Sequence, residues 1–135
     1  MQPTSQSSDT PLILVVDDEP TVRKVISLML QRAGYRIELA VNGLDALTKI
    51  RSLRPDLITL DHMMPDLTGE EVRAQILNDE EAGKIPIIFV SAVVDEVCAR
   101  QQHIKSKTEV RFLPKPFERE KLLTYVSELL ARREY

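Results

Sequence analysis

Five short strand-like runs, each followed by a stretch of helical period, constrain this chain more than any other feature. The first run, Leu12 to Val16, contains no polar residue, so it suits a strand covered on both faces rather than one with a wet side. It stops abruptly at Asp17 and Asp18. A helix follows, opened by Pro20, with apolar residues at Val22, Val25, Ile26, Met29, Leu30 and Ala33, and with Gly34 placed to end it. Tyr35 to Ala40 predicts a second strand, and Asn42-Gly43 leads into a helix carrying Leu44, Leu47 and Ile50 that must close before Pro55. The third strand, Leu57 to Leu60, ends in Asp61. The loop HMMPDLTG then leads to a helix with Val72, Ile76 and Leu77. Ile87 to Val90 ends in Ser91, Val93 to Lys107 predicts a weaker helix, and Val110 to Pro114 predicts the fifth strand, ending at Lys115. Leu122, Leu123, Val126, Leu129 and Leu130 mark the last helix. Strands that alternate with helices in this way give an α/β fold, a doubly wound parallel sheet with helices on both faces.

The strongly polar residues fall where such a fold would use them. Asp17, Asp18, Asp61, Ser91 and Lys115 all stand at the carboxyl ends of strands, and in an open parallel sheet those ends border one ligand-binding crevice. Three carboxylates brought together there repel one another unless a cation lies between them or protons are retained. An all-oxygen set with few protein ligands suits Mg²⁺ better than a fully caged Ca²⁺. Taken one at a time, the same acids are also ordinary turn and cap residues: Asp18 could cap the first helix, and Asp66 or Thr68 the third.

The blocks LILVVDDEP, LITLDHMMPDLTG, IIFVSA and FLPKPF resemble, in order and spacing, the receiver domain of two-component response regulators, over residues 11 to about 133. That resemblance implies a flavodoxin-like three-layer sandwich with five helices and strand order 2-1-3-4-5. The receiver domain would occupy residues 11–135, behind a flexible tail at 1–10. It further implies that Asp61 is the phosphoacceptor, that Ser91 and Lys115 meet the phosphoryl oxygens, and that Asp17, Asp18, Asp61 and the Met63 backbone carbonyl hold Mg²⁺, for which Mn²⁺ could substitute. Ser91 and Phe112 match the switch positions, and the bond before Pro116 is expected to be cis. The implied donor is a sensor histidine kinase or a histidine phosphotransfer protein. The implied output is control of an unidentified downstream protein through the face made by the fourth helix, the fifth strand and the last helix. Such a domain is not an enzyme beyond its own phosphotransfer and dephosphorylation.

Two departures from the family pattern stand out. SKTEVRF replaces the usual small pair ahead of the aromatic, and His62 follows the acceptor where apolar residues are common; strand alternation points His62 away from Asp61. An aspartate-nucleophile phosphohydrolase would carry a second Asp two residues after the nucleophile, and that place is Met63. An interaction module with a dead acceptor site would have lost acids or the lysine, and all are present.

Composition narrows the class further. A net charge of -3 argues against direct nucleic-acid binding, which needs clustered cations. The opening residues lack the basic and apolar regions of a secretory signal, and no apolar run nears the roughly 20 residues of a spanning helix, so no membrane contact and a cytoplasmic location are expected. The lone Cys98 excludes an internal disulfide and reads as a small packed side chain.

Overall fold

In a computed structural model, residues 10–92 and 109–131 are described. Their elements run β1 (Leu12–Val16), α1 (Pro20–Arg32), β2 (Arg36–Ala40), α2 (Gly43–Leu53), β3 (Leu57–Leu60), α3 (Gly69–Leu77), a 3₁₀ turn (Ala82–Lys84), β4 (Ile87–Ser91), β5 (Val110–Pro114) and α4 (Arg119–Ala131). The helix expected over Val93 to Lys107, with Cys98, lies outside the described residues. So do residues 1–9 of the expected tail.

The five strands form one sheet in the order β2-β1-β3-β4-β5, and every pairing is parallel. Period-two alternation sorts its side chains into two cores. Leu14, Val16, Ile58, Leu60, Ile87, Phe89 and Phe112 pack with Leu47 and Ile50 of α2 and with Val72 and Ile76 of α3. Ile13, Val15, Leu57, Ile88, Val90 and Leu113 face the opposite way, onto Ile26 and Leu30 of α1 and Leu122, Val126 and Leu129 of α4. The result is the expected three-layer sandwich. Unbroken apolar strands follow from this geometry, because each strand must serve both cores.

Helix ends follow local chemistry. Gly34, at φ 102, takes the left-handed conformation that stops α1. Asn42 caps α2 by accepting from the Asp45 amide, and Thr68 caps α3 in a capping box closed by Glu71. Asp18 does not take the N-cap position of α1: that residue is Glu19, whose side chain makes no capping bond. The 3₁₀ turn was not foreseen; the Asp79 carboxylate organises it by accepting from the amides of Glu81 and Ala82.

Among the described residues two buried polar atoms, Thr59 Oγ1 and Arg73 Nε, have no hydrogen-bond partner, and the first lies within the sheet. Thr59 is 1% exposed on the α1 and α4 side of β3, and its hydroxyl has no hydrogen-bond partner among the described residues. Thr59→Val keeps the shape and removes a desolvated hydroxyl, so it should stabilise the fold by about 1 kcal/mol. Urea denaturation would show this as a higher midpoint at constant slope, and a lower midpoint would refute it.

Candidate functional site

The carboxyl ends of β1 and β3 lie side by side at the middle of the sheet, and the parallel ladder continues past them. The Asp17 amide donates to the Ala40 carbonyl at 3.3 Å and the Asp61 amide to the Val16 carbonyl at 3.0 Å. Backbone bonding thus sets the spacing of the two acids. Asp18 joins them, and carboxylate oxygens of Asp17, Asp18 and Asp61 lie within 4.8 Å of one another. Asp17 is 1% and Asp61 5% exposed. The Asp17 turn is held from two sides: its carboxylate accepts from the Glu19 amide at 2.9 Å, and Arg23 Nη1 donates to its carbonyl at 2.7 Å.

Burial raises the Asp61 carboxyl from an ordinary 3.8 to about 7, reinforced by the Asp17 carboxylate and opposed by Lys115. A hydrogen bond with the Asp18 side chain pushes in the same upward direction. Burial first, and then the neighbouring Asp17 carboxylate, disfavour the charged form of Asp61, and a hard divalent cation among these oxygens would offset both. The residues fit Mg²⁺ on this ground: oxygen donors only, close together, at the carboxyl ends of the central strands.

Lys115 is joined to Pro116 by a cis peptide bond, as expected. Its amide donates to the Ser91 carbonyl at 2.8 Å, which extends the β4–β5 ladder by one step and aims the side chain at the acids. The ammonium reaches Asp17 Oδ2 at 3.0 Å, Glu19 Oε1 at 3.8 Å and Asp61 Oδ1 at 3.9 Å. In this state the lysine's closest carboxylate is that of Asp17, not the acceptor's. Ser91 ends β4 and is 2% exposed. Phe112 is already buried, stacked on Phe89 with centroids 5.3 Å apart, and the edge of Phe89 meets the His62 ring at 6.4 Å. His62 is half-buried and packs against Phe89.

The loop from His62 to Thr68 is pinned at both ends. At its base, the Gly69 amide donates to the His62 carbonyl at 2.7 Å, and a Cβ on Gly69 would lie 2.6 Å from the Asp61 carbonyl oxygen. At its tip, Asp66 accepts from the amides of Gly43 and Leu44, each at 2.9 Å. Asp66 thus serves the N-terminus of α2, not that of α3. Slight desolvation pushes its carboxyl up, but the amides of Leu44, Gly43 and Leu67 outweigh this and hold it below the usual range. Met63, between the two pins, donates its amide to the Asp61 carboxylate and leaves its side chain 57% exposed.

Comparison with known proteins agrees with this arrangement. A family description, "Response regulator receiver domain", matches residues 13–127. The chain is 41% identical over 120 residues to response regulator MprA of Mycobacterium avium, covering 89% of this chain and 51% of MprA. It is 33% identical over 122 residues to protein PilH of Pseudomonas aeruginosa, covering 88% of this chain and 97% of PilH. Several curated relatives, MprA among them, are thus about twice the length this chain spans. The receiver domain of a sensor histidine kinase from Pseudomonas aeruginosa, solved with a magnesium ion in its active-site cleft, superposes with a TM-score of 0.79 at 29% identity, covering 90% of this chain and 98% of that one. With its sheet order, its acidic cluster and a family match over residues 13–127, the chain belongs to the response regulator receiver domains.

Proposed function

We propose that Asp61 accepts a phosphoryl group from the phosphohistidine of a sensor kinase or a histidine phosphotransfer protein. The observation that supports this best is the grouping of Asp17, Asp18 and Asp61 around one point with Lys115 beside them. Asp61 is the acid of the three whose carboxyl is raised to about 7, and it ends the central strand. In the transfer, an Asp61 carboxylate oxygen forms a bond to phosphorus as the donor's nitrogen–phosphorus bond breaks, and the electron pair leaves with the imidazole. Deprotonated Asp61 is the nucleophile, so its proton must be lost first.

Asp17, Asp18, Asp61 and the Met63 carbonyl would hold Mg²⁺, or Mn²⁺ in its place. The ion supplies positive charge for the phosphoryl oxygens, which is the main demand of this chemistry. Lys115 leaves Asp17 and pairs with a phosphoryl oxygen, and the Ser91 hydroxyl donates to another. The signal then passes to a downstream protein through β5, α4 and the segment between β4 and β5, with Ser91 and Phe112 as the switch. Because Phe112 already stacks on Phe89, its response need not begin with an inward swing of the ring.

We further propose that the receiver unit comprises residues 11–135, works in the cytoplasm, catalyses nothing beyond its own phosphotransfer and dephosphorylation, and makes no direct nucleic-acid or membrane contact. Among the described residues no helix is long and apolar enough to cross a membrane. Incubation with acetyl phosphate and Mg²⁺, read by intact mass and peptide mapping, should show one phosphoryl group on Asp61. Equal modification in the presence of a chelator, or modification elsewhere, would overturn the assignment.

A further inference from the structure

We propose that Asp66 is a positioning residue for the cation site: it ties the tip of the loop after β3 to the N-terminus of α2 and so fixes the backbone at Met63. The inference rests on the reading of Asp17, Asp18, Asp61 and the Met63 carbonyl as the cation's ligands. Of these, Met63 alone stands away from a strand end, on a loop whose path is not set by the sheet ladder. The bond from the Gly69 amide to the His62 carbonyl closes the base of that loop, and a base alone leaves the tip free to pivot. The Asp66 carboxylate removes this freedom. Oδ1 takes the amides of Gly43 and Leu67, at 2.9 and 2.8 Å, and Oδ2 takes the amide of Leu44 at 2.9 Å.

Capping of α2 does not by itself account for this arrangement. That helix already has a cap in Asn42, whose side chain accepts from Asp45 at 2.8 Å while its carbonyl accepts from Ala46 at 3.0 Å. Asp66 takes the amides of Gly43 and Leu44 from a different element, so its bonds also hold α2 and the loop at a fixed separation. A negative charge at a helix N-terminus is favoured as well. The fit beneath it is tight: a Cβ on the buried Gly43 would lie 2.6 Å from Leu67 Cβ, so only a glycine lets the loop seat flush on the helix. Groups that orient metal ligands without touching the metal commonly change its affinity by about 10- to 100-fold when removed.

Titration calorimetry of Mg²⁺ into the full chain separates positioning from simple capping when Asp66→Ala, Asp66→Asn and Asn42→Ala are measured beside thermal melts. Asp66→Ala should weaken Mg²⁺ binding by about 10-fold or more. Asp66→Asn keeps one acceptor oxygen and should fall between it and wild type. Asn42→Ala removes a cap of the same helix and should lower the melting temperature without changing Mg²⁺ affinity. In metal-free protein, amide exchange at Gly43 and Leu44 should quicken in Asp66→Ala. Wild-type affinity in Asp66→Ala, or an equal loss in Asn42→Ala, would overturn the proposal. Absence of Mg²⁺ binding in the wild type would overturn the reading of the acidic cluster itself, and this inference with it.

Discussion

Asp61→Asn should take up no phosphoryl group and, free of metal, should be more stable than the wild type above pH 7. The first effect follows from loss of the nucleophilic oxygen, since an amide is a poor nucleophile toward phosphorus. The second follows from the raised carboxyl. The folded chain holds the Asp61 proton up to about pH 7, whereas the unfolded chain releases it near 3.8. Between those values the folded state binds more protons than the unfolded one, so wild-type stability falls as pH rises through this window and stays reduced above it. The width of the window bounds the effect at on the order of 4 kcal/mol. The difference between variant and wild type should therefore be small near pH 4, grow to pH 7 and level off. Urea melts across that range in a chelator would test it, and a difference independent of pH would contradict it. Mg²⁺ should narrow the gap by stabilising the wild type, because it binds the folded carboxylates.

Lys115→Ala should produce the opposite stability change. Among the described residues, Lys115 is the cation within ion-pair distance of both Asp17 and Asp61, and both acids are buried. Removing one partner of a buried pair leaves uncompensated charge, which costs about 3–5 kcal/mol. The loss should be greatest above pH 7, where Asp61 is ionised, and saturating Mg²⁺ should recover much of it. The same variant should bind Mg²⁺ more tightly than the wild type, because the ammonium 3.0 Å from Asp17 Oδ2 competes with a metal for that oxygen. Calorimetry and melts on one preparation test both statements; unchanged metal-free stability or weaker Mg²⁺ binding would refute the argument.

Much of this architecture is legible in the sequence because parallel strands buried on two faces must be apolar throughout. Leu12–Val16, Leu57–Leu60 and Ile87–Ser91 therefore announce themselves, and their terminal polar residues mark the crevice. Gly34, Asn42 and Thr68 were readable as helix punctuation because capping depends on local chemistry. Asp66 was not, because its partners Gly43 and Leu44 are more than twenty positions away and short-range pattern offers no reason to choose α2 over the adjacent α3. The resting place of Lys115 on Asp17 was missed for a related reason: the resemblance speaks to the phosphorylated site, while the metal-free balance of charge depends on distances. The Phe89–Phe112 stack arises from cross-strand register, which sets those two residues opposite each other only once β4 and β5 are paired.

The strand order also decides which backbone faces the outside. β2 and β5 are the two rims of the open sheet, and a rim strand offers unpaired amides and carbonyls as a template for another chain. Both rims carry residues that discourage such templating: Arg36 and Glu38 along β2, Arg111 within β5, and at its end Pro114, which has no amide hydrogen to give. β1, β3 and β4, whose apolar sequences would be the adhesive ones, lie between these guarded margins and are never presented. Guarded in this way, the rims disfavour sheet-to-sheet pairing between copies of the chain.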